Sequence, residues 1–597
     1  MTHININPIH PIMKKYFSLL LLGLTFVLTG CDDFFETDPD NVLNEKDYIE
    51  KESDMYKGYL GIQTRVQEVG DHAMILTDTR CQYLETTGNA PVALQDINNY
   101  QPTDGNVYAD PTGYYAVIVA SNDFILKMND FYKEVNGALS DSAKVHIPRL
   151  ISGAIRYKVW AYTMLARIYG EAYWYDTNNT ELVSLDNSAT FQRLDVKGIC
   201  DKCIDLLDNG IYACGQQVPA DLRMDWTRWV DPINGDENYD YWKYMSPDWL
   251  SMRAELASWR TNYEDNAAAL ADWQWIKDNV LQFLYEQATQ AWYRYSCSMT
   301  LQLYYSQLFR GEGAVEETIN IGSGDGHQQT LSAIFYDYDN QQRNRIVQYL
   351  CPEYPGDGYY LKPSDYALSL YNGSDLRSET QRLMVTQFSG GLALTKFYYT
   401  RYNSLGYLRT KIFEIEPMIY LYRGHELHFL LAEAENHLGH WDVAATLLNQ
   451  GVINRFPGGV NTLATDSIAG SRIWDERYTS FFASNGGYGD LGIAGMVKGT
   501  EHSLTDIAAG ATAADSLAFA FDADRIKEYD LALADEFLLE FTGEGKSYSY
   551  LCKMAERYGK DYRIVYDRIK GKYANTAYDA QVRSSLANKY FVDWSLK

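Results

Sequence analysis

The chain has 597 residues, with 52 Lys and Arg against 79 Asp and Glu, and a formal net charge of −27. That balance argues against nucleic acid, whose phosphates need a basic footprint, and favours an uncharged or cationic ligand over a polyanion. The length exceeds an ordinary single domain, so the body is either one helical superhelix or two fused lobes.

The first element is an export signal. Lys14 and Lys15 precede an apolar run from Tyr16 to Leu28, which is shorter than the ~20 apolar residues of a membrane-spanning helix. Leu28-Thr29-Gly30-Cys31 closes it in the form of a lipobox, with small residues before a Cys whose sulfur accepts a diacylglyceryl group. Residues 1–30 therefore read as a lipoprotein signal peptide. The mature chain begins at Cys31, the lipidation site, and is held to a membrane by lipid.

Beyond the signal, apolar residues recur at three- and four-residue spacing over 149–170, 194–207, 250–280, 283–308 and 421–454, which predicts helices there. Strand-like runs are few and short. Long stretches rich in Gly, Asn, Asp and Tyr separate the helices, at 86–112, 215–247, 311–328, 352–363, 456–470 and 486–514, and loops of that length in a compact body carry function or are disordered. Residues 430–454 and 250–280 share one pattern: a helix with small Ala residues, a turn, then a second helix. The pattern is that of tetratricopeptide (TPR) hairpins, whose small residues let paired helices approach closely. The fold class expected is all-α in the main, a TPR-like helical superhelix with long irregular loops.

Cysteine usage fits no disulfide scaffold. With Cys31 lipidated, seven Cys remain, scattered along the chain. Cys200 and Cys203 form a C-x-x-C inside a predicted helix, with no second C-x-x-C at zinc-site spacing. They read as two buried thiols on one helical face, with a disulfide to Cys214 open to them in an oxidising compartment.

Several motifs with chemical form fail on detail. Gly543-Glu544-Gly545-Lys546-Ser547 ends like a phosphate loop, but Glu540 stands where the loop needs its first Gly. Residues 322–327 are Gly-rich yet follow no strand, so they read as a flexible loop. His425-Glu426-Leu427-His428 resembles a zinc-protease helix, but the second His is due at position 429, which is Phe. His437 and His440 stand near the end of the same helix, where imidazoles satisfy free carbonyls. No nucleophile elbow or reactive Cys signature is present. The expectation is a binding protein with no catalytic residue, no metal and no cofactor.

Aromatic residues supply the positive signal. Eight of the thirteen Trp fall between Trp226 and Trp292. Trp226, Trp229, Tyr239, Tyr241 and Trp242 lie in a polar loop among Asp, Asn and Gly. Flat rings there suit the C–H faces of a sugar, with neighbouring amides, carboxylates and Arg for its hydroxyls. The same rings also suit a second role, pinning a long insertion to the helical body, and the loop leaves both open. Trp249, Trp259, Trp273 and Trp275 sit in helical pattern and read as core. A second candidate ligand region gathers Asp78, Arg80, Tyr83, Asn99, Tyr100 and Tyr108.

Taken together, these features resemble the RagB/SusD family of outer-membrane nutrient-binding lipoproteins. The likeness spans nearly the whole mature chain. It rests on the opening Cys31-Asp-Asp-Phe-Phe-Glu-Thr-Asp-Pro39, on the helix from Lys158 through Leu165 to Gly170, and on Arg423-Gly-His-Glu426 followed by Ala432-Glu433-Ala434. A segment from Asp535 through Glu540 and Gly543 to Tyr548 completes it. His425 and Phe429 stand where the family has Ala and Leu, and Lys158 and Val159 where it has Arg and Ala. The resemblance implies one SusD-like helical domain over residues 31–597. Helix hairpins are expected near 150–210, 250–310 and 421–455, with loop-rich insertions near 215–247 and 456–515. It further implies a lipid-anchored protein of the outer-membrane surface that captures an oligosaccharide or polysaccharide and delivers it to a TonB-dependent, SusC-like transporter. Peptide capture by the same kind of assembly is the alternative within the family, and a surface glycosidase is the enzymatic alternative.

Overall fold

The computed structural model describes residues 48–135, 138–176, 191–223, 245–289, 330–336, 341–378, 385–388, 390–394, 396, 417–451, 475, 477–478, 490–574 and 576–594. In chain order its elements are α1 Glu52–Val69, β1 Leu84–Thr86, α2 Val92–Asn98, α3 Thr112–Glu134, α4 Asp141–Tyr169, β2 Glu171–Tyr173, β3 Arg193–Asp195 and α5 Val196–Asn209. There follow β4 Ile211–Ala213, β5 Gln216–Val218, α6 Trp249–Arg260, α7 Asn266–Thr289, β6 Thr330–Ile334, α8 Ile346–Leu350, β7 Leu361–Pro363, α9 Asp365–Leu368, β8 Val385–Phe388 and β9 Gly391–Leu394. The last are β10 Ile419–Arg423, α10 Gly424–His437, α11 Trp441–Leu448, α12 Ile493–Met496, α13 Ala513–Ala520, α14 Ala523–Glu540, α15 Ser547–Arg557, α16 Arg563–Tyr573 and α17 Asp579–Asn588.

The architecture is mainly helical, as the periodicity predicts. Each helix packs on the next, from α4 to α5, α6 and α7, then across to α10 and α11, which is how paired helices share one continuous core. From α10 the packing passes to α14, and on through α15, α16 and α17. All described strands form two-stranded antiparallel pairs: β1–β7, β2–β3, β4–β5, β6–β10 and β8–β9.

Helix α4 shows how the sequence sets its ends. The Ser140 hydroxyl accepts the Ala143 amide at 3.1 Å at one end, and Gly170 stops the other at φ +76°. A Cβ at Gly170 would stand 2.6 Å from the Phe591 ring, so Gly is needed there for space as well as for backbone angle. From Leu150 to Tyr169 every residue of α4 is buried. This is the central helix, enclosed on all sides.

Three expectations are corrected. The helical pattern read from 421 onward begins in fact with a strand, β10, ahead of α10 and α11; Ile419-Tyr-Leu-Tyr-Arg423 is wholly buried against β6, where branched and aromatic side chains suit a pleated surface better than a helix. No break separates the predicted helices at 280 and 283, because α7 runs through both. The loop over 86–112 contains α2, which begins directly after Pro91, a residue that fits a helix entrance. Cys200, Cys203 and Cys214 are buried free thiols, with no disulfide among them. Trp259 and Trp273 are buried, while half-buried Trp249 packs on Trp275 and donates its indole N–H to the Leu207 carbonyl at 2.8 Å.

Candidate functional site

An open groove forms where β1 meets β7 and the β8–β9 hairpin. Its position is set upstream, by a single π-helical turn at Met74–Asp78 that follows α1. Such turns re-aim the chain and recur at functional sites. The Thr77 and Thr79 hydroxyls donate back to the Ala73 and Ile75 carbonyls at 2.7 and 2.6 Å. Asp78 accepts the Gly545 amide at 2.9 Å, and the Lys572 ammonium donates to the Thr79 and Cys81 carbonyls at 2.7 and 3.2 Å. The segment is thereby bound to α15 and α16 before it enters β1.

Strand β1 pairs with β7 in a register that sets Glu85 opposite Lys362. Their side chains form an ion pair of 2.8 Å, with Lys362 34% and Glu85 27% exposed. The Ser364 hydroxyl, which caps α9, donates to the Gln82 carbonyl at 2.6 Å and so fastens the far end of β7 to β1. On the opposite wall, the Tyr359 hydroxyl donates to the Leu392 carbonyl at 2.6 Å. Gly391 is required there: a Cβ would lie 2.4 Å from the Tyr359 hydroxyl oxygen. Burial pushes the Tyr359 phenol up to about 12, so it remains a proton donor at neutral pH. The groove encloses about 740 Å³ between Glu85, Thr86, Thr87, Lys362, Tyr359 and Gln387. Its lining of hydroxyl, amide, carboxylate and ammonium groups offers both donors and acceptors to a polyhydroxylated ligand.

A different assembly of charge lies inside. Arg423 is buried and donates to Glu540 at 2.8 Å and to both oxygens of Glu544 at 2.9 and 3.0 Å. Lys396 pairs with Glu544 as well. Lys546 pairs with Glu426, whose carboxylate also accepts the Arg423 amide at 3.0 Å. Further along, Glu433 meets Lys553 at 2.8 Å and Arg557 at 2.5 Å. The Arg423 guanidinium and its lysine neighbours hold the Glu544 carboxyl well below the usual carboxylate range. Asp78 shows the opposite effect: burial raises it to about 7, because it lacks a cation of its own at ion-pair distance among the described residues.

Solved structures resemble the fold of this chain over most of its length. A SusD homologue from Bacteroides thetaiotaomicron superposes with TM-score 0.54 at 14% identity, covering 89% of this chain and 90% of that one. A SusD superfamily protein from Parabacteroides distasonis gives 0.51 at 13%, covering 83% and 88%. A second Bacteroides thetaiotaomicron SusD homologue gives 0.50 at 15%, covering 92% and 98%. The chain has the SusD fold. No protein-family model and no curated protein sequence matches it.

The SusD-like motif residues fall in the charged interior. Arg423, Glu426, Glu433, Glu540, Glu544 and Lys546 are all among the buried ion pairs, so the phosphate-loop lookalike at 543–547 is part of the core. His437 and His440 face carboxylates, not carbonyls: the His437 ring lies 2.9 Å from Asp530, and His440 meets Glu435.

Of the residues singled out for ligand contact, Asp78, Arg80, Tyr83 and Tyr100 are buried and engaged within the protein. Arg80 lies 4.1 Å over the Tyr100 ring and donates to the Tyr548 hydroxyl at 3.3 Å. Tyr83 packs edge-on to Tyr371, Asn99 accepts from the Asn98 amide at 2.9 Å, and Tyr108 shares a 3.0 Å hydrogen bond with Tyr349. The structure brings Arg80, on the stretch of chain that leads into β1, together in the interior with Tyr100, which follows α2. Trp226, Trp229, Tyr239, Tyr241 and Trp242, and the lipidation site Cys31, lie outside the described residues. Sequence reasoning missed Glu85, Thr87, Tyr359, Lys362 and Gln387. Tyr359 and Lys362 fall in a predicted Tyr- and Gly-rich loop, but nothing local ties them to Glu85 across some 275 positions.

Proposed function

We propose that this protein is a cell-surface lipoprotein of the outer membrane. It captures an oligosaccharide or polysaccharide without cleaving it, and delivers it to a TonB-dependent, SusC-like transporter. The observation that carries the reading is the SusD fold behind a lipobox, with an open groove of hydroxyl, amide and ion-paired groups at Glu85 and Lys362. The rings of Trp226, Trp229, Tyr239, Tyr241 and Trp242 supply the stacking surfaces in this account. Binding then needs no covalent step. Several weak contacts give modest affinity and ready release to a partner. Among the described residues no group of His, Cys, Asp and Glu has metal-site geometry, and no helix is long and apolar enough to cross a membrane; attachment is assigned to the lipid on Cys31.

The test uses the chain from residue 32 onward on a glycan array, followed by calorimetry with the strongest hit. Saccharide binding without product release supports the reading. Absence of binding, peptides retained on native purification, or release of shorter sugars on long incubation would each replace it.

A further inference from the structure

Helices α1 and α4 meet around polar side chains that lack partners. The two helices pack together, with the Tyr59 ring 5.9 Å from that of Tyr157. One turn along α1 from Tyr59, on the same face, Gln63 faces the Tyr157 hydroxyl. Neither its amide nitrogen nor its oxygen is hydrogen-bonded among the described residues. On α4, Arg156 stands beside Tyr59 with its Nε unpaired, and Ser152, one turn away on the same face, has an unpaired hydroxyl. All three are more than nine-tenths buried: Gln63 is 4%, Ser152 0% and Arg156 3% exposed.

Arg156 is a cation without a carboxylate of its own. Its Nη2 donates to the Leu222 carbonyl at 3.1 Å, and among the described residues no acid stands within ion-pair distance of it. Asp248 acts on it from further away, but is committed elsewhere. One Asp248 oxygen pairs with Arg223, and the other accepts the Ser251 amide and hydroxyl at 3.0 and 2.8 Å. Burial lowers the Arg156 pKa, and the Arg223 charge adds to the effect. The local charge is therefore positive and uncompensated.

Burying a guanidinium without a counter-charge is costly, and so is each unpaired donor beside it. Thr163, further along α4, shows the ordinary solution for a hydroxyl in a helix: it donates to the Val159 carbonyl at 2.9 Å. Ser152 makes no such bond. Donors outnumber acceptors here, with the Arg156 Nε–H, the Gln63 amide and the Ser152 hydroxyl set against the Gln63 oxygen. Water alone would leave the charge uncompensated. A small anion accepts from the donors and cancels the charge at once. The surrounding tyrosines hold the adjoining chain: Tyr157 donates to the Met245 carbonyl at 2.6 Å, and Tyr59 bonds the Ser246 hydroxyl.

We propose that Arg156, Gln63 and Ser152 hold a small monovalent inorganic anion, chloride in a saline medium, at a buried site between α1 and α4 that is separate from the groove. Two measurements on the chain from residue 32 onward test it, with bromide and chloride as the probes. Crystals soaked in sodium bromide should show an anomalous peak beside the Arg156 Nε and the Gln63 amide. In solution, exchanging sodium methanesulfonate for sodium chloride at constant ionic strength should raise the melting temperature saturably, by about 2 °C. Gln63→Leu should need about fivefold more chloride for half of that rise, and Arg156→Met should abolish it. The bromide peak is read on the wild type, so it decides the matter even if Arg156→Met fails to fold. No peak beside Arg156, a melting temperature indifferent to chloride, or an equal chloride response in Arg156→Met would overturn the proposal.

Discussion

Glu544 and Glu85 both face a lysine, and their surroundings give the two pairs opposite roles. Glu544 meets Lys396 and Arg423 with its side chain 1% exposed, whereas Glu85 meets Lys362 with about a quarter of its surface in water. A buried pair cannot change partners without leaving an uncompensated charge in a medium that solvates it poorly. An exposed pair is worth little to stability and opens at small cost. The interior charges thus act as architecture, joining β10, α10, α14 and the start of α15, while the groove pair is the one proposed to exchange its partner for a ligand's hydroxyls.

The largest expected effect comes from breaking the interior. Arg423→Leu removes the guanidinium that Glu540 and Glu544 share, leaving them with Arg377 and Lys396, and should cost about 3–5 kcal/mol, read by denaturant unfolding; a loss below 1 kcal/mol would erase the contrast. Acid comes next. The Glu433, Glu536 and Glu544 carboxyls are held below their usual range by the cations beside them. Their contribution is therefore complete above about pH 4.5 and lost as pH falls towards their folded values. Melting temperature should drop steeply between pH 5 and 3, and a flat profile would contradict the account.

Asp78 gives the reverse sign. Its folded value, raised to about 7, means that the folded state holds its proton longer than the unfolded chain does, so stability from this group is lost as pH rises from about 4 to 7. Asp78→Asn should therefore gain on the wild type across that window, and parallel curves would return Asp78 to an ordinary carboxylate. The smallest stability effect belongs to the groove: Lys362→Ala should cost about 0–1 kcal/mol while weakening saccharide binding about tenfold.

The sequence made the helical body legible because helix packing leaves a local trace. The apolar spacing through α4, the Gly170 stop and the small Ala432 and Ala434 of α10 all register within a few residues. Strand β10 was not legible, since Ile-Tyr-Leu-Tyr fits a buried strand or helix alike until β6, some ninety residues earlier, claims it. The same distance problem hid the groove. Asp78, Arg80 and Tyr100 have the residue types of a binding site, yet burial has committed them to one another and to α15 and α16. Glu85 and Lys362 look ordinary, and acquire meaning only when β1 and β7 pair.

The most direct test of the groove as the ligand site is calorimetric titration of the lipid-free chain and its Lys362→Ala variant with an oligosaccharide selected on a glycan array. The account predicts saturable binding by the wild type with the sugar recovered intact, and about tenfold weaker binding by the variant at an unchanged melting temperature. Equal affinity of the two proteins would contradict it.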